Sequence, residues 1–218
     1  MVESGGYIPN PPSNPEECLQ RQINVFPDLV LTLDYPVKKG RGGDLPVKEK
    51  EKRVEKTIQN AKKAMELKNW VCGRYNREFE PVAVIQGYDI PSIRRCAMKM
   101  QSFGYEYYAL GSVTTQASSR KLPEIKRVLG EVRDIIGKNA WLHILGVMDV
   151  NVLHPIKDYI TSFDASTITH LAIKGTGFRE DGTYVKIPLS KHFGYIELQQ
   201  TNFDNCLKFY RKYLWTDV

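Results

Sequence analysis

Val82-Ala83-Val84-Ile85-Gln86-Gly87 is a short apolar run that stops on a polar residue and a glycine. The same ending recurs along the chain. Leu29-Val30-Leu31-Thr32-Leu33 stops at Asp34, Tyr107-Tyr108-Ala109-Leu110 at Gly111-Ser112, and Leu142-His143-Ile144-Leu145 at Gly146. The last case is Ser162-Phe163-Asp164-Ala165-Ser166, where the ending is an aspartate. Short apolar runs bounded by turn residues read as strands.

Helical patterns separate these runs. Glu16 to Asn24 reads as a short helix after a proline-rich loop. Val47 to Lys68 reads as a longer one, with Val54, Ile58, Ala61 and Met65 as its buried stripe. Pro91 to Phe103 carries Ile93, Ala97 and Met100 on one face, and Gly104 stops it. Pro123 opens the clearest helix, with Ile125, Val128, Leu129, Val132, Ile135 and Ile136 facing the core and Gly137 as its cap. His154 to Ile160 is a short helix, residues 171 to 200 read as turns and short β segments, and Phe203, Leu207, Tyr210 and Leu214 stripe a last helix. Strands alternating with helices imply parallel pairing, because a crossover helix returns the chain to the same end of the sheet. The expected fold is α/β, an α/β barrel of the TIM type, with a flat doubly wound sheet as the competing architecture. In either, the strand ends share one rim where ligands bind. Asp34, Gln86, Gly111, Gly146 and Asp164 are expected to converge there.

The chain has 218 residues, 42% of them hydrophobic, enough for one domain with a sizeable core. No apolar run reaches the roughly 18 residues of a membrane span, and no secretory signal is visible, so no membrane partner is expected. Cys18, Cys72, Cys96 and Cys206 are scattered without metal-ligand spacing. Scattered thiols suit a reducing compartment, and the expected location is the cytoplasm. The net charge of +6 is compatible with a polyanionic partner. Lys38, Lys39 and Arg41 lie in a glycine-rich loop that lacks the ending of a P-loop. No cofactor and no metal are suggested.

The ordered motifs resemble the tRNA-guanine transglycosylases, a superfamily with a branch that acts on DNA. Glu3-Ser4-Gly5-Gly6-Tyr7 resembles the family's Asp-Ser-Gly-Gly-Phe/Tyr segment. Leu33-Asp34 resembles its strand ending in Asp, and Val84-Ile85-Gln86-Gly87 its Val-Gln-Gly. Ala109-Leu110-Gly111-Ser112 resembles Ile-Gly-Gly, Ile144-Leu145-Gly146-Val147 resembles Leu-Met-Gly-Val, and Phe163-Asp164 matches Phe-Asp. The resemblance runs over roughly residues 3 to 166 and implies a (β/α)8 barrel that exchanges guanine for a 7-deazaguanine in tRNA or DNA. It implies that Asp164 is the nucleophile and Glu3 the proton-handling carboxylate. Asp34 would accept from the base's N1-H and amine, and Gln86 and the Gly111 N-H would donate to its carbonyl. Tyr7 and Leu145 would sandwich the ring. The chemistry is coherent, since a carboxylate can trap the cationic sugar carbon as an ester.

Three departures bear on this reading. Glu3 stands where the family has Asp, one methylene longer. Two family strands precede the Glu3 segment, whereas here only Met1 and Val2 do, so the barrel is expected to be incomplete at its N-terminus. Its first strands would be missing or supplied by a partner, either a complementing subunit or a second copy in a homo-oligomer. The whole chain, 1–218, then forms one domain. Its C-terminal extension, 171–218, lacks the family's zinc motif, since Thr167 to Val218 holds only Cys206 with His170 and His192. The rival function is a catalytically weak subunit that binds nucleic acid or complements a partner. A third possibility is an unrelated barrel hydrolase, since barrels host many chemistries. Read singly, Asp34 is an ordinary turn residue, and His143 and His154 are structural.

Overall fold

The computed structural model describes residues 1–2, 10–37, 44–111, 113, 121–164, 167–187 and 194–214. Five parallel strands form its main sheet: β1 (Leu29–Leu31), β2 (Glu80–Ile85), β3 (Tyr107–Leu110), β4 (Trp141–Ile144) and β5 (Ser162–Phe163). They lie side by side in chain order, and every adjacent pair is parallel. Val2 adds a parallel bridge to Val30 on the outer side of β1, through Val2 N–H to the Leu29 carbonyl (2.9 Å) and Leu31 N–H to the Val2 carbonyl (3.0 Å).

A sheet whose strands neighbour one another in strict sequence order has no reversal point, so the doubly wound alternative falls away. The packing of the two faces agrees. Ala83, Ile85, Tyr108, Leu110, Leu142 and Ile144 face outward and share one buried cluster with the crossover helices. Those helices are α2 (Val47–Tyr75), α3 (Ile90–Ser102) and α4 (Leu122–Ile136). The alternate residues Leu31, Val82, Val84 and Ala109 form a separate cluster with Leu29, Tyr107, Trp141 and Leu145, and no helix residue among the described ones joins it. Helices on one face and side chains alone on the other describe the wall of a barrel. The sheet is a curled half of a TIM-type barrel, with β5 at its far edge.

Local chemistry sets the element ends. α1 (Pro15–Ile23) opens on Asn14, whose side chain accepts the Glu17 N–H, with proline in its first turn. α3 opens on a capping box between Asp89 and Ser92. α2 continues past Lys68 to Tyr75, where Asn76 ends it in the left-handed conformation, φ 48°. Beyond β4 come a short helix, α5 (Val150–Leu153), and a 3₁₀ segment (His154–Tyr159), which match the expected short helix. After β5 come α6 (Thr167–Ile173), an antiparallel hairpin of β6 (Thr176–Phe178) and β7 (Tyr184–Lys186), and α7 (Tyr195–Leu214).

The buried face of α7 differs from the expected stripe. Phe203 and Leu207 are 49% and 40% exposed, while Leu198, Asn202, Phe209 and Tyr210 are buried. The reason is polar. The Asn202 amide bonds both ends of one edge of β6, donating to the Thr176 carbonyl (3.0 Å) and accepting the Phe178 N–H (2.6 Å). That pairing rotates the helix so that an asparagine, not a phenylalanine, faces inward.

Candidate active site

The rim begins where β1 leaves its ladder. Thr32 N–H still donates to the Val82 carbonyl (3.0 Å). The next ladder acceptor should be the Thr32 carbonyl, but Val84 N–H donates to Thr32 Oγ1 instead (3.1 Å). The side chain completes the ladder while the backbone turns away. The turn is then held from α2. Asn60 Nδ2 donates to the Leu33 carbonyl (3.0 Å), Tyr35 N–H to Thr57 Oγ1 (2.9 Å), and Arg53 to the Pro36 carbonyl (2.8 Å). Asp34 sits between these anchors, 8% exposed.

Gln86, at the end of β2, is also buried, and its Nε2 donates to Asp34 Oδ2 at 2.7 Å. An ionised carboxylate only accepts, so this bond fixes which end of the Gln86 amide faces Asp34. Gly111 follows β3. An ideal Cβ built there would lie 2.4 Å from Gln86 Nε2 and 2.8 Å from its Cδ. A glycine is therefore what leaves room for the amide. The expected donor role of the Gly111 N–H needs correction, because that group donates to the Ile85 carbonyl at 3.0 Å. It extends the β2–β3 ladder by one rung.

Leu145 follows β4, half-buried, with its N–H on the Leu110 carbonyl (3.1 Å) and its side chain against the inner cluster. Gly146 has φ 72°, a conformation that favours glycine, and its N–H donates to Asp164 Oδ1 at 2.6 Å. Asp164 ends β5, with 29% of its side chain exposed. His143, buried on the inner face of β4, places Nε2 3.6 Å from Asp164 Oδ1 and Nδ1 2.8 Å from Ser162 Oγ.

Contacts thus join Asp34, Gln86 and Gly111 at one end of the rim and Gly146 and Asp164 at the other, with the Leu145 N–H on the Leu110 carbonyl between them. Of the expected site residues, Asp34, Gln86, Gly111, Leu145 and Asp164 all stand on this rim. Glu3 and Tyr7 lie outside the described residues, as do Lys38, Lys39 and Arg41. Thr32, Thr57, Asn60, Ser162 and His143 were not among the expected site residues. Their partners are 19 to 52 positions away in sequence, so no local pattern announces them.

Burial disfavours ionisation of the thiols. Burial pushes Cys96 and Cys18 up to about 12 and Cys206 up to about 11, so all three stay protonated and poor nucleophiles at neutral pH. Among the described residues, no three His, Cys, Asp or Glu side chains are placed to share a metal ion. No helix among them is long and apolar enough to cross a membrane.

The queuine tRNA-ribosyltransferase family model matches residues 12–215. The chain belongs to that family. The match takes in the rim residues from Asp34 to Asp164 and continues through the hairpin and α7. The family is one of guanine transglycosylases, transferases that act on nucleic acid, and a parallel half-barrel with its polar residues on one rim suits it. No curated protein matches the chain.

Proposed function

We propose that this transglycosylase exchanges guanine for a 7-deazaguanine in tRNA or DNA, through an ester between Asp164 and the sugar. The buried Asp34–Gln86 hydrogen bond, on the rim that ends at Asp164, carries the reading. Asp34 accepts from the base's N1-H and exocyclic amine. Gln86, its amide oriented by Asp34, turns its second N–H to the base carbonyl. That set of one double acceptor and one donor matches a guanine edge and mismatches adenine. Leu145 and Tyr7 flank the ring. The target base must first leave its stack to reach a barrel rim.

In the first step an Asp164 oxygen forms a bond to the sugar C1′ as the bond from C1′ to the guanine ring nitrogen breaks. The electron pair leaves with the base, which takes a proton from Glu3. In the second step the incoming base gives its proton to Glu3 and attacks C1′, and Asp164 departs as carboxylate. Glu3 follows Val2, which is bridged to β1, the strand that leads to Asp34. No cofactor enters either step.

The test is incorporation of labelled guanine into tRNA and into DNA duplexes, with Asp164→Asn as control. Incorporation into one of them, abolished in the variant, supports the reading and names the nucleic acid. Label that the Asp164→Asn variant still incorporates rejects Asp164 as nucleophile.

A second reading, a weakly active subunit completed by a partner or a second copy, is favoured by one observation. Ile196, Phe203 and Leu207 of α7 are exposed beside the edge strand β5, around a cavity of about 730 Å³. Sedimentation that finds only monomer, together with full exchange activity, would remove it.

A further inference from the structure

His143 is the one buried imidazole of the inner sheet face among the described residues, and it is only 2% exposed. Its neighbours Leu142 and Ile144 point outward to the helices, so strand alternation turns it towards the barrel interior. The ring stacks on Trp141, centroids 5.7 Å apart and planes within 12°. Nδ1 is satisfied by Ser162 Oγ at 2.8 Å. Nε2 is buried without a hydrogen-bond partner among the described residues, and it faces Asp164 Oδ1 at 3.6 Å. That is too long for a hydrogen bond, and a buried polar atom left so needs a reason.

The tautomer supplies one. A serine hydroxyl can donate or accept. If Nδ1 carried the proton, the Nε2 lone pair would face a carboxylate in a nearly water-free position, which is repulsive. With Ser162 donating to Nδ1, the proton sits on Nε2 and faces Asp164. Active-site hydrogen bonds that are long without substrate commonly close in the substrate complex.

We propose that His143 is a positioning residue for Asp164. Ser162 fixes its tautomer, and its Nε2–H closes on Asp164 Oδ1 when nucleic acid binds. This rests on Asp164 being the nucleophile. The Gly146 N–H already holds the same oxygen. Two donors on Oδ1 leave bond formation to Oδ2, so Oδ1 becomes the ester's carbonyl oxygen. These donors interact more strongly with the free carboxylate than with the ester. They therefore assist the step in which Asp164 leaves and charge returns to it. Without His143, that second step slows and the ester persists.

Three proteins decide it: wild type, His143→Phe, which keeps a flat ring of similar size without a donor, and His143→Gln, whose amide can restore one. Exchange kinetics and the fraction of protein carrying the sugar adduct are measured together. His143→Phe is expected to lower kcat about 10- to 100-fold with KM for the base unchanged. Its adduct fraction should rise at steady state, and His143→Gln should recover part of the rate. Unchanged kcat in His143→Phe overturns the proposal. So does a loss of rate in which the adduct falls in parallel, since that marks a structural role. A second readout needs no turnover. Nitrogen NMR of the free protein should show His143 protonated at Nε2, with that signal moved by Asp164→Asn, and a proton on Nδ1 contradicts it. If wild type itself forms no adduct at Asp164, the transglycosylase mechanism fails and takes this inference with it. If wild type forms it and His143→Phe behaves identically, the role of His143 alone falls.

Discussion

The two ends of the rim are built differently. Asp34 is 8% exposed, bonded to Gln86, and its backbone is tied to α2 on both sides. The side chain of Asp164 is 29% exposed, ends a two-residue edge strand and borders an open cavity. Both are aspartates closing a parallel strand, yet one is sealed and the other reachable. Base recognition gains from desolvation, because an unmatched polar edge is then left without partners. A nucleophile that must meet the sugar of a polymer cannot be sealed in the same way. On the proposed mechanism, reading falls to the β1–β2 end and reaction to the β4–β5 end.

Substitutions at either end can break that division. Asp164→Asn should have the largest effect, a loss of exchange on the order of 10⁴-fold, the scale for removing a reacting group. Guanine binding measured by calorimetry should be nearly unchanged, and weakened binding would mean the two ends are not separate. Asp34→Asn should do the reverse. It removes a double acceptor, and guanine affinity should fall by about 1–3 kcal/mol. Gly111→Ala tests the reading end without touching a polar group. Its Cβ would sit 2.4 Å from Gln86 Nε2, so the amide must move. Guanine affinity should drop more than about tenfold, with an overpacking cost in urea denaturation of about 1–3 kcal/mol. Wild-type binding in this variant would show that Gln86 does not read the base.

Thr57→Val asks whether the scaffold behind Asp34 matters for stability. It removes the acceptor of the Tyr35 N–H, and urea denaturation should register about 1–3 kcal/mol. The smallest effect lies far from both ends. Hydrogen bonds from the Ser13 N–H and hydroxyl, with Arg21 beside them, hold Glu17 down to about 2 against an ordinary 4.5. A carboxyl depressed in the folded state adds stability that is present above its unfolded value and lost as pH falls through the folded one. Glu17→Gln should therefore lower the melting temperature slightly at pH 7 and remove a small part of its fall between about pH 4.5 and about 2. The Glu17 side chain lies at the surface, 34% exposed, so solvent screening keeps the effect small.

Much of the barrel was legible because strand ends are chemically abrupt. Val82 to Ile85 followed by Gln86, and Tyr107 to Leu110 followed by Gly111, mark both the strand and its exit. The stripes of α3 and α4 were equally plain, since the residues Ile93, Ala97, Met100, Ile125, Leu129 and Val132 are all buried. Hydrophobic period failed where a polar residue holds the inward position. Asn202 hid the true face of α7, and past Lys68 only Val71 and Cys72 are buried to signal that α2 continues. At the site, Asp34, Gln86 and Asp164 were visible as strand endings. The residues that orient them were not. Thr32 replaces a carbonyl, Thr57 and Asn60 clamp a loop from a helix, and His143 meets Ser162 across two strands. Such roles depend on register, and register arises only once the strands have paired.

The most direct test of the whole account is to locate the covalent intermediate. The protein is incubated with its nucleic acid, denatured, digested with protease and nuclease, and the sugar-bearing peptide is sequenced by mass spectrometry. The account predicts an acid-labile ester on the peptide containing Asp164, absent in Asp164→Asn. An adduct on any other residue, or base exchange with none at Asp164, would contradict it.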